Sequence, residues 1–248
     1  MDAGVTLVSV FREMAMPAAE GVPVVYMTEL KAFTEQQLAL QAALFAGKSM
    51  VPVHTLAVEG PVSDAILDTA KEVGADMIIA GVKASGKGIR RVFGDTLTTL
   101  ARRSDIPVLV VPEENVYCAP QHILLADDIE AGADLRLLNV LLEIASVFHS
   151  QVQVARVIRK KVQEILAIMM RPPAVESLEE TVRIKYEYPV DKDVIHALEQ
   201  FVDDHPVQMV VMLPHPHFAP ERWFFKGHTW SMIFRTKVPL LLLSGSHG

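Results

Sequence analysis

The stretch Gly81 to Gly88 comes closest to a chemical function in residue type and spacing. It reads Gly-x-x-x-x-Gly-Lys-Gly, with Lys83, Lys87, Arg90 and Arg91 nearby. Glycines let backbone N–H groups approach a phosphate, and the cations favour an anion. A nucleotide P-loop also needs Ser or Thr after its lysine to hold magnesium, and Gly88 cannot do that. The loop moreover follows the penultimate strand of its repeat unit rather than a leading one, so the near-match reads as coincidence. His215 and His217 flank Pro216, with His205 and His228 elsewhere. A metal site needs three or four converging ligands, and no spacing here resembles a zinc motif. These histidines read as part of a polar loop, and the run Trp223-Phe224-Phe225 as core or interface. Cys118 has no histidine near it in sequence to activate it. No Gly-x-Ser-x-Gly elbow or His-Glu-x-x-His pair occurs.

The chain around these residues has 248 residues, about one large domain or two small ones. It is 50% hydrophobic and 21% charged, a balance that excludes a disordered or fibrous chain. The net charge of −7 gives no general pull toward nucleic acid or an anionic membrane. One cysteine excludes an intrachain disulfide framework and fits a reducing compartment. Apolar runs such as Val238 to Leu243 are far too short to span a bilayer. The expectation is a cytoplasmic protein with two modest cores and no membrane span.

The elements follow from periodicity. Val51 to Val58 alternates as a strand does. Ser63 to Val73 carries Ile66, Leu67, Ala70 and Val73 at helical spacing, with Ser63 as its cap and Gly74 as its stop. Asp76 to Ala80 and Ile106 to Val111 are short apolar runs that suit buried parallel strands. Ile89 to Arg103 between them reads as a helix with Val92, Leu97 and Leu100 inward. The second half repeats the pattern: strand Val182 to Tyr188, helix Asp193 to Asp203, strand Val207 to Leu213, then Val238 to Leu243. Phe93-Gly94-Asp95-Thr96 answers Phe225-Lys226-Gly227-His228-Thr229, and Ile106-Pro107-Val108-Leu109 answers Val238-Pro239-Leu240-Leu241. The second copy opens with strand Ile123 to Ala126, helix Asp134 to Phe148 and strand Val152 to Ile158. The first copy opens on Val5 to Phe11, the match of that last strand. In the second copy 30 residues (122–151) precede the shared strand, against four (1–4) in the first. A first strand and first helix are thus expected to be absent from the first copy, about 26 residues. Two α/β domains are expected, 1–115 and 121–248, with Glu113 to Gln121 as linker.

This arrangement resembles the universal stress protein family in its tandem two-domain form. The resemblance rests on Val58-Glu59-Gly60-Pro61, Gly74 to Thr96 and Ile106 to Val111, and in the second copy on Ile123 to Asp127, Pro214-His215, Phe225 to Thr229 and Val238 to Leu243. It implies two doubly wound parallel sheets of the adenine nucleotide alpha hydrolase-like kind, with strand order 3-2-1-4-5. It also implies an internal pseudo-dimer through the last strands, with a homodimer as a further form. The ligand implied is an adenine nucleotide, ATP or AMP, bound without classical enzyme activity. The family signature is Gly-x-x-Gly, nine residues, then Gly-Ser/Thr. Gly81 and Gly94 keep their positions, whereas Ala84 stands for the second glycine and Asp95 for the hydroxyl residue. Lys83, Ser85, Gly86 and Thr96 complete the candidate phosphate side, with Asp127 as the adenine-side acid of the second copy. That copy's Leu213-Pro214-His215-Pro216-His217 lacks the phosphate glycines, and its prolines remove two backbone donors.

Three functions compete. One is a non-enzymatic cytoplasmic stress-response protein acting through a nucleotide or a protein partner, with a degenerate ATP-binding loop. Another is a cytoplasmic regulatory module of a membrane transporter, since such domains also occur fused to transporters. A nucleotide hydrolase ranks last, for want of a base, a metal carboxylate pair and an intact phosphate loop. Because the first strand of this fold is central, its absence leaves strands two and four short of a neighbour. The first copy is expected to pair Val5 to Phe11 directly with Asp76 to Ala80, or to borrow a strand, with Val22 to Met27 as one filler.

Overall fold

The computed structural model describes residues 3–12, 23–48, 50–82, 96–126, 135–158, 182–213 and 237–243. Two compact units divide at Gly74/Ala75. In the first unit, β1 (Val5–Phe11) and β2 (Val53–Glu59) form a parallel pair in register from Val5↔Val53 to Phe11↔Glu59. The crossover between them is α1 (Pro23–Ala46), which packs on both strands and buries Thr34 and Leu38. Thr34 also turns its hydroxyl back to the Leu30 carbonyl at 2.8 Å. The helix α2 (Val62–Glu72) buries Ala65, Leu67, Thr69 and Ala70, and it packs on β1. Pro61, rather than Ser63, holds the cap position, and no side chain caps this helix. Proline's fixed φ near −65° suits a helix start, and it lacks an N–H that would otherwise stand unpaired. Gly74 ends the helix at φ +64, a left-handed conformation that a side chain would strain.

The second unit holds β3 (Ile78–Val82), a helix α3 (96–103), β4 (Val108–Pro112), β5 (His122–Ala126), α4 (Leu135–Phe148), β6 (Gln151–Ala155), β7 (Arg183–Glu187), α5 (Val194–Asp204), β8 (Met209–Met212) and β9 (Leu240–Leu242). Among the described residues its sheet runs β3-β4-β9-β8-β5-β6-β7. The segment β7-β6-β5-β8-β9 has the order 3-2-1-4-5 of a doubly wound α/β fold, with every pair parallel. Short runs with no polar alternation make these strands because both faces are covered. Leu124, Val210, Leu240 and Leu242 are fully buried on one face, and Ile123, Leu125, Val211 and Leu241 on the other. The second face forms one cluster with Leu138, Leu141 and Ala145 of α4 and Val152 and Val154 of β6. Asp193 caps α5, its carboxylate accepting from the Ile195 N–H at 2.9 Å and the His196 N–H at 3.3 Å.

The joint between the repeats is antiparallel. Leu109 pairs with Leu241, Val108 with Leu242 and Val110 with Leu240. Since Leu109 and Leu241 are equivalent in the repeat, each last strand meets its own counterpart about a local two-fold centred on them. This is the internal pseudo-dimer arrangement that the sequence resemblance implies.

Two expectations are corrected. Pro23 to Met27 begins α1 and is not a filler strand; the run VPVVYM continues into a long stretch with no turn residue, so helix wins over local β-propensity. No ladder joins β1 to β3 among the described residues. Within the first repeat, β1 and β2 belong to the first unit, while β3 and β4 hydrogen-bond into the sheet of the second unit. The physical reason is the central strand: β5 bridges β6 and β8 in the second repeat, and nothing described does the same in the first.

Burial makes the repeats energetically unequal. Leu241→Ala, at a fully buried site, is expected to lower stability by about 2–5 kcal/mol in urea unfolding. Ile79→Ala on β3, 68% exposed, is expected to stay within about 0.5 kcal/mol.

Candidate functional site

In open α/β sheets, ligands bind beyond the carboxyl ends of the strands, where the strand order reverses. In the second repeat that point lies between β5 and β8, at the paired residues Ala126 and Met212. Asp127 follows Ala126 directly in sequence and itself lies outside the described residues. Beyond Met212 comes buried Leu213, then the Pro214 loop, which also lies outside them.

In the first repeat the corresponding carboxyl end is that of β3. Gly81 sits one residue before its end, exposed, and a Cβ placed there would meet nothing within 4 Å. Its φ is not left-handed, so no backbone strain calls for glycine here, and among the described residues nothing crowds the position. Thr96 is the first described residue of α3 and is half-buried; Leu97 and Leu100 hold that helix in the core at 2% and 1% exposure. Lys83, Ser85, Gly86 and Gly94, together with the near P-loop match, lie outside the described residues. Of the seven residues expected at a nucleotide site, the structure thus describes Gly81 and Thr96.

The two repeats keep different parts of such a site. The first has the Gly81 and Gly94 positions but no described strand beside β3 to form the other wall of the crevice. The second has that wall, β5 with Asp127 after it, but Pro214 and Pro216 replace the glycine-bearing turn.

A second polar group lies at the carboxyl edge of the second repeat, beyond β6 and β7, and the sequence reading passed over it. Ile158 and Val190 extend the ladder by one bridge, and the Asp191 N–H donates to the Ile158 carbonyl at 3.0 Å. Asp191 Oδ1 accepts from the Asp193 N–H at 2.9 Å, and Asp191 Oδ2 meets His196 Nδ1 at 2.7 Å. The Asp193 amide and then the His196 ring hold the Asp191 carboxyl below its ordinary pKa. The hydrogen bond and charge of Asp191 raise the His196 ring above its own, with Asp193 and Glu199 adding charge. The available signal was the spacing Asp-x-Asp-x-x-His at a helix start, where the second Asp caps and leaves the first free to meet the histidine. Among the described residues no three His, Cys, Asp or Glu side chains converge as metal ligands. His205 serves structure: its ring stacks on Phe201 at 3.9 Å and Nδ1 lies 3.0 Å from the Phe201 carbonyl. Cys118 is exposed and unpaired to any other cysteine. Among the described residues no helix is long and apolar enough to cross a membrane.

Residues 1–112 match a family model described as the universal stress protein family. The stress response protein NhaX of Bacillus subtilis (strain 168) is 35% identical over 54 residues, 22% of this chain and 32% of that protein. The match thus spans about a third of the curated relative's length. Among solved structures, a universal stress protein from Archaeoglobus fulgidus DSM 4304 superposes with a TM-score of 0.74 at 14% identity, covering 98% of this chain and 86% of that one. A putative universal stress protein from Pseudomonas aeruginosa UCBPP-PA14 gives 0.61 at 12% identity, with 98% and 94% covered. The cytoplasmic domain of a prokaryotic cation chloride cotransporter gives 0.50 at 9% identity, with 98% and 86% covered. At such identities the structural likenesses speak to the fold alone.

The Asp191–His196 pair sets a pH window. Its contribution is complete only where His196 is protonated in both states and Asp191 ionised in both, below about 6.5 and above about 3.9. It is lost as pH rises through the raised His196 pKa, and as pH falls through the lowered Asp191 pKa. NMR titration is expected to show the His196 pKa falling back toward its ordinary value in Asp191→Asn. Asp193→Ala is expected to cost about 1 kcal/mol of stability through the lost cap.

Proposed function

We propose that this chain, whose residues 1–112 match the universal stress protein family model, is a non-enzymatic, cytoplasmic stress-response protein. It acts by binding a partner or an adenine nucleotide, ATP or AMP, through a degenerate loop, and not by turnover. The observation that carries this reading is Gly81, exposed at the carboxyl end of β3 with no described atom within 4 Å of where a Cβ would stand, and ahead in sequence of Thr96 and α3. The phosphate side is then Gly81, Lys83, Ser85, Gly86, Gly94 and Thr96. The loop is degenerate in sequence: Ala84 stands where the family signature has its second glycine and Asp95 where it has Ser or Thr.

A second reading is a cytoplasmic regulatory module of a membrane transporter. It draws support from the likeness in fold to the cytoplasmic domain of a cation chloride cotransporter.

Calorimetric titration with ATP, ADP and AMP is expected to give weak binding or none. Any binding found is expected to vanish in Gly94→Val. Micromolar affinity that survives Gly94→Val would refute the assignment to the first-repeat loop. Steady hydrolysis of ATP by the pure protein would refute the non-enzymatic reading.

A further inference from the structure

Among the described residues the sheet of the second unit ends at β3 and at β7. Its last strands are already taken up against each other: β4 lies between β3 and β9, and β9 between β4 and β8. Of the two ends, β7 is the one remote from Ala75, where the units divide. It pairs with β6 in parallel register, from Gln151↔Arg183 to Ala155↔Glu187. The Glu187 carbonyl accepts from the Arg156 N–H at 3.0 Å, and the Pro189 carbonyl from the Ile158 N–H at 2.9 Å. Alternation along the strand then turns the main chain of Arg183, Lys185 and Glu187 toward β6, and that of Ile184, Tyr186 and Tyr188 away from it. Pro189, which has no N–H to give, stands on the β6 side, so it does not interrupt the outer edge.

The side chains of β7 are sorted by face. Ile184 and Tyr186 pack against the core cluster that holds Leu138, Leu141 and Ala145 of α4. Arg183, Lys185 and Glu187 lie on the opposite face, where the Lys185 side chain is 56% exposed and meets Glu187 at 2.5 Å. Like charges directly opposite each other keep two edge strands apart. This edge carries both signs two residues apart, so an antiparallel copy of it meets each charge with its opposite. A two-fold axis through Tyr186 and normal to the sheet sets Lys185 against Glu187 of the second copy, and Glu187 against its Lys185. The same axis sets Tyr186 against Tyr186 and Ile184 against Tyr188, so apolar meets apolar on the α4 face. An axis through Lys185 would instead set that lysine against itself. The chain already contains one antiparallel seam about a local two-fold, at Leu109 and Leu241.

We propose that the outer edge of β7 is a self-association surface, at which two copies of this chain pair antiparallel about an axis at Tyr186. The two sheets then run on as one. Main-chain pairing along Ile184, Tyr186 and Tyr188 supplies the ladder, and the two Lys185–Glu187 crossings fix its register. The surface is independent of any nucleotide at the Gly81 loop.

Sedimentation of the full chain over a concentration series, with hydrogen exchange at the Ile184 amide, tests the proposal. A monomer–dimer equilibrium is expected, and Ile184 exchange is expected to slow at least about tenfold as the dimer fills. Lys185→Glu places like charges opposite each other twice and is expected to weaken the dimer at least about tenfold. Its fold is expected to match the parent by circular dichroism, because the site is exposed. The swap of Lys185→Glu with Glu187→Lys restores opposite charges across the seam and is expected to restore the dimer. A chain that stays monomeric throughout, a dimer indifferent to Lys185→Glu, or a swap that fails to restore association overturns the proposal. So does an Ile184 amide equally protected at every dilution, since a segment of the same chain then covers the edge. A nucleotide titration with no heat leaves each of these outcomes untouched, so the two readings fail separately.

Discussion

A parallel sheet depends on its central strand, because that strand satisfies the backbone groups of two neighbours at once. In the second repeat β5 does this, pairing with β6 on one side and β8 on the other. Its start is itself secured, the His122 N–H donating to the Gln208 side-chain carbonyl at 2.6 Å and the Gln151 N–H to the Gln121 carbonyl at 2.7 Å. The covering helix α4 follows β5 in the chain, so strand and cover come and go together. Where no such element is described, in the first repeat, the strands divide into β1-β2 and β3-β4. Each pair finds cohesion elsewhere, the first against α1 and α2, the second through β9.

Much of this was legible in the sequence, for reasons that differ by element. The buried strands β4, β5, β8 and β9 stand out as short apolar runs bounded by turn residues, and the Pro-preceded pair Val108 and Leu240 revealed the repeat. Helices α4 and α5 follow from leucine spacing, and the Asp193 cap from its position before Ile195. The start of α1 looked like a strand because Val22 to Met27 is β-branched and apolar, whereas Pro23 opens a helix that runs on to Ala46 with no turn residue in it. Which strands pair across the repeats was also hidden, because that is a matter of long-range pairing.

The candidate site was legible as composition rather than as geometry. Gly81 and Thr96 announced themselves by spacing, and the structure adds that among the described residues nothing crowds Gly81. The Asp191–His196 pair could not be read in the same way. It forms because Ile158 and Val190 bridge beyond the ends of their strands, and this sets Asp191 against the first turn of α5. The cap at Asp193 then turns one amide toward Asp191 and keeps the other carboxylate aimed into the helix.

The pairing of Leu109 with Leu241 has a consequence for how such a chain can change. In a dimer of identical subunits, any substitution on the axis appears twice, and a loss elsewhere in one subunit is a loss in both. Covalent fusion of the two halves removes that doubling while keeping the shared seam. One half can then carry Pro214 and Pro216 where the other carries a glycine-rich stretch, without either change being imposed on its twin. The joint at Leu109 and Leu241 is thus what permits asymmetry: it holds together two halves whose residues are free to diverge.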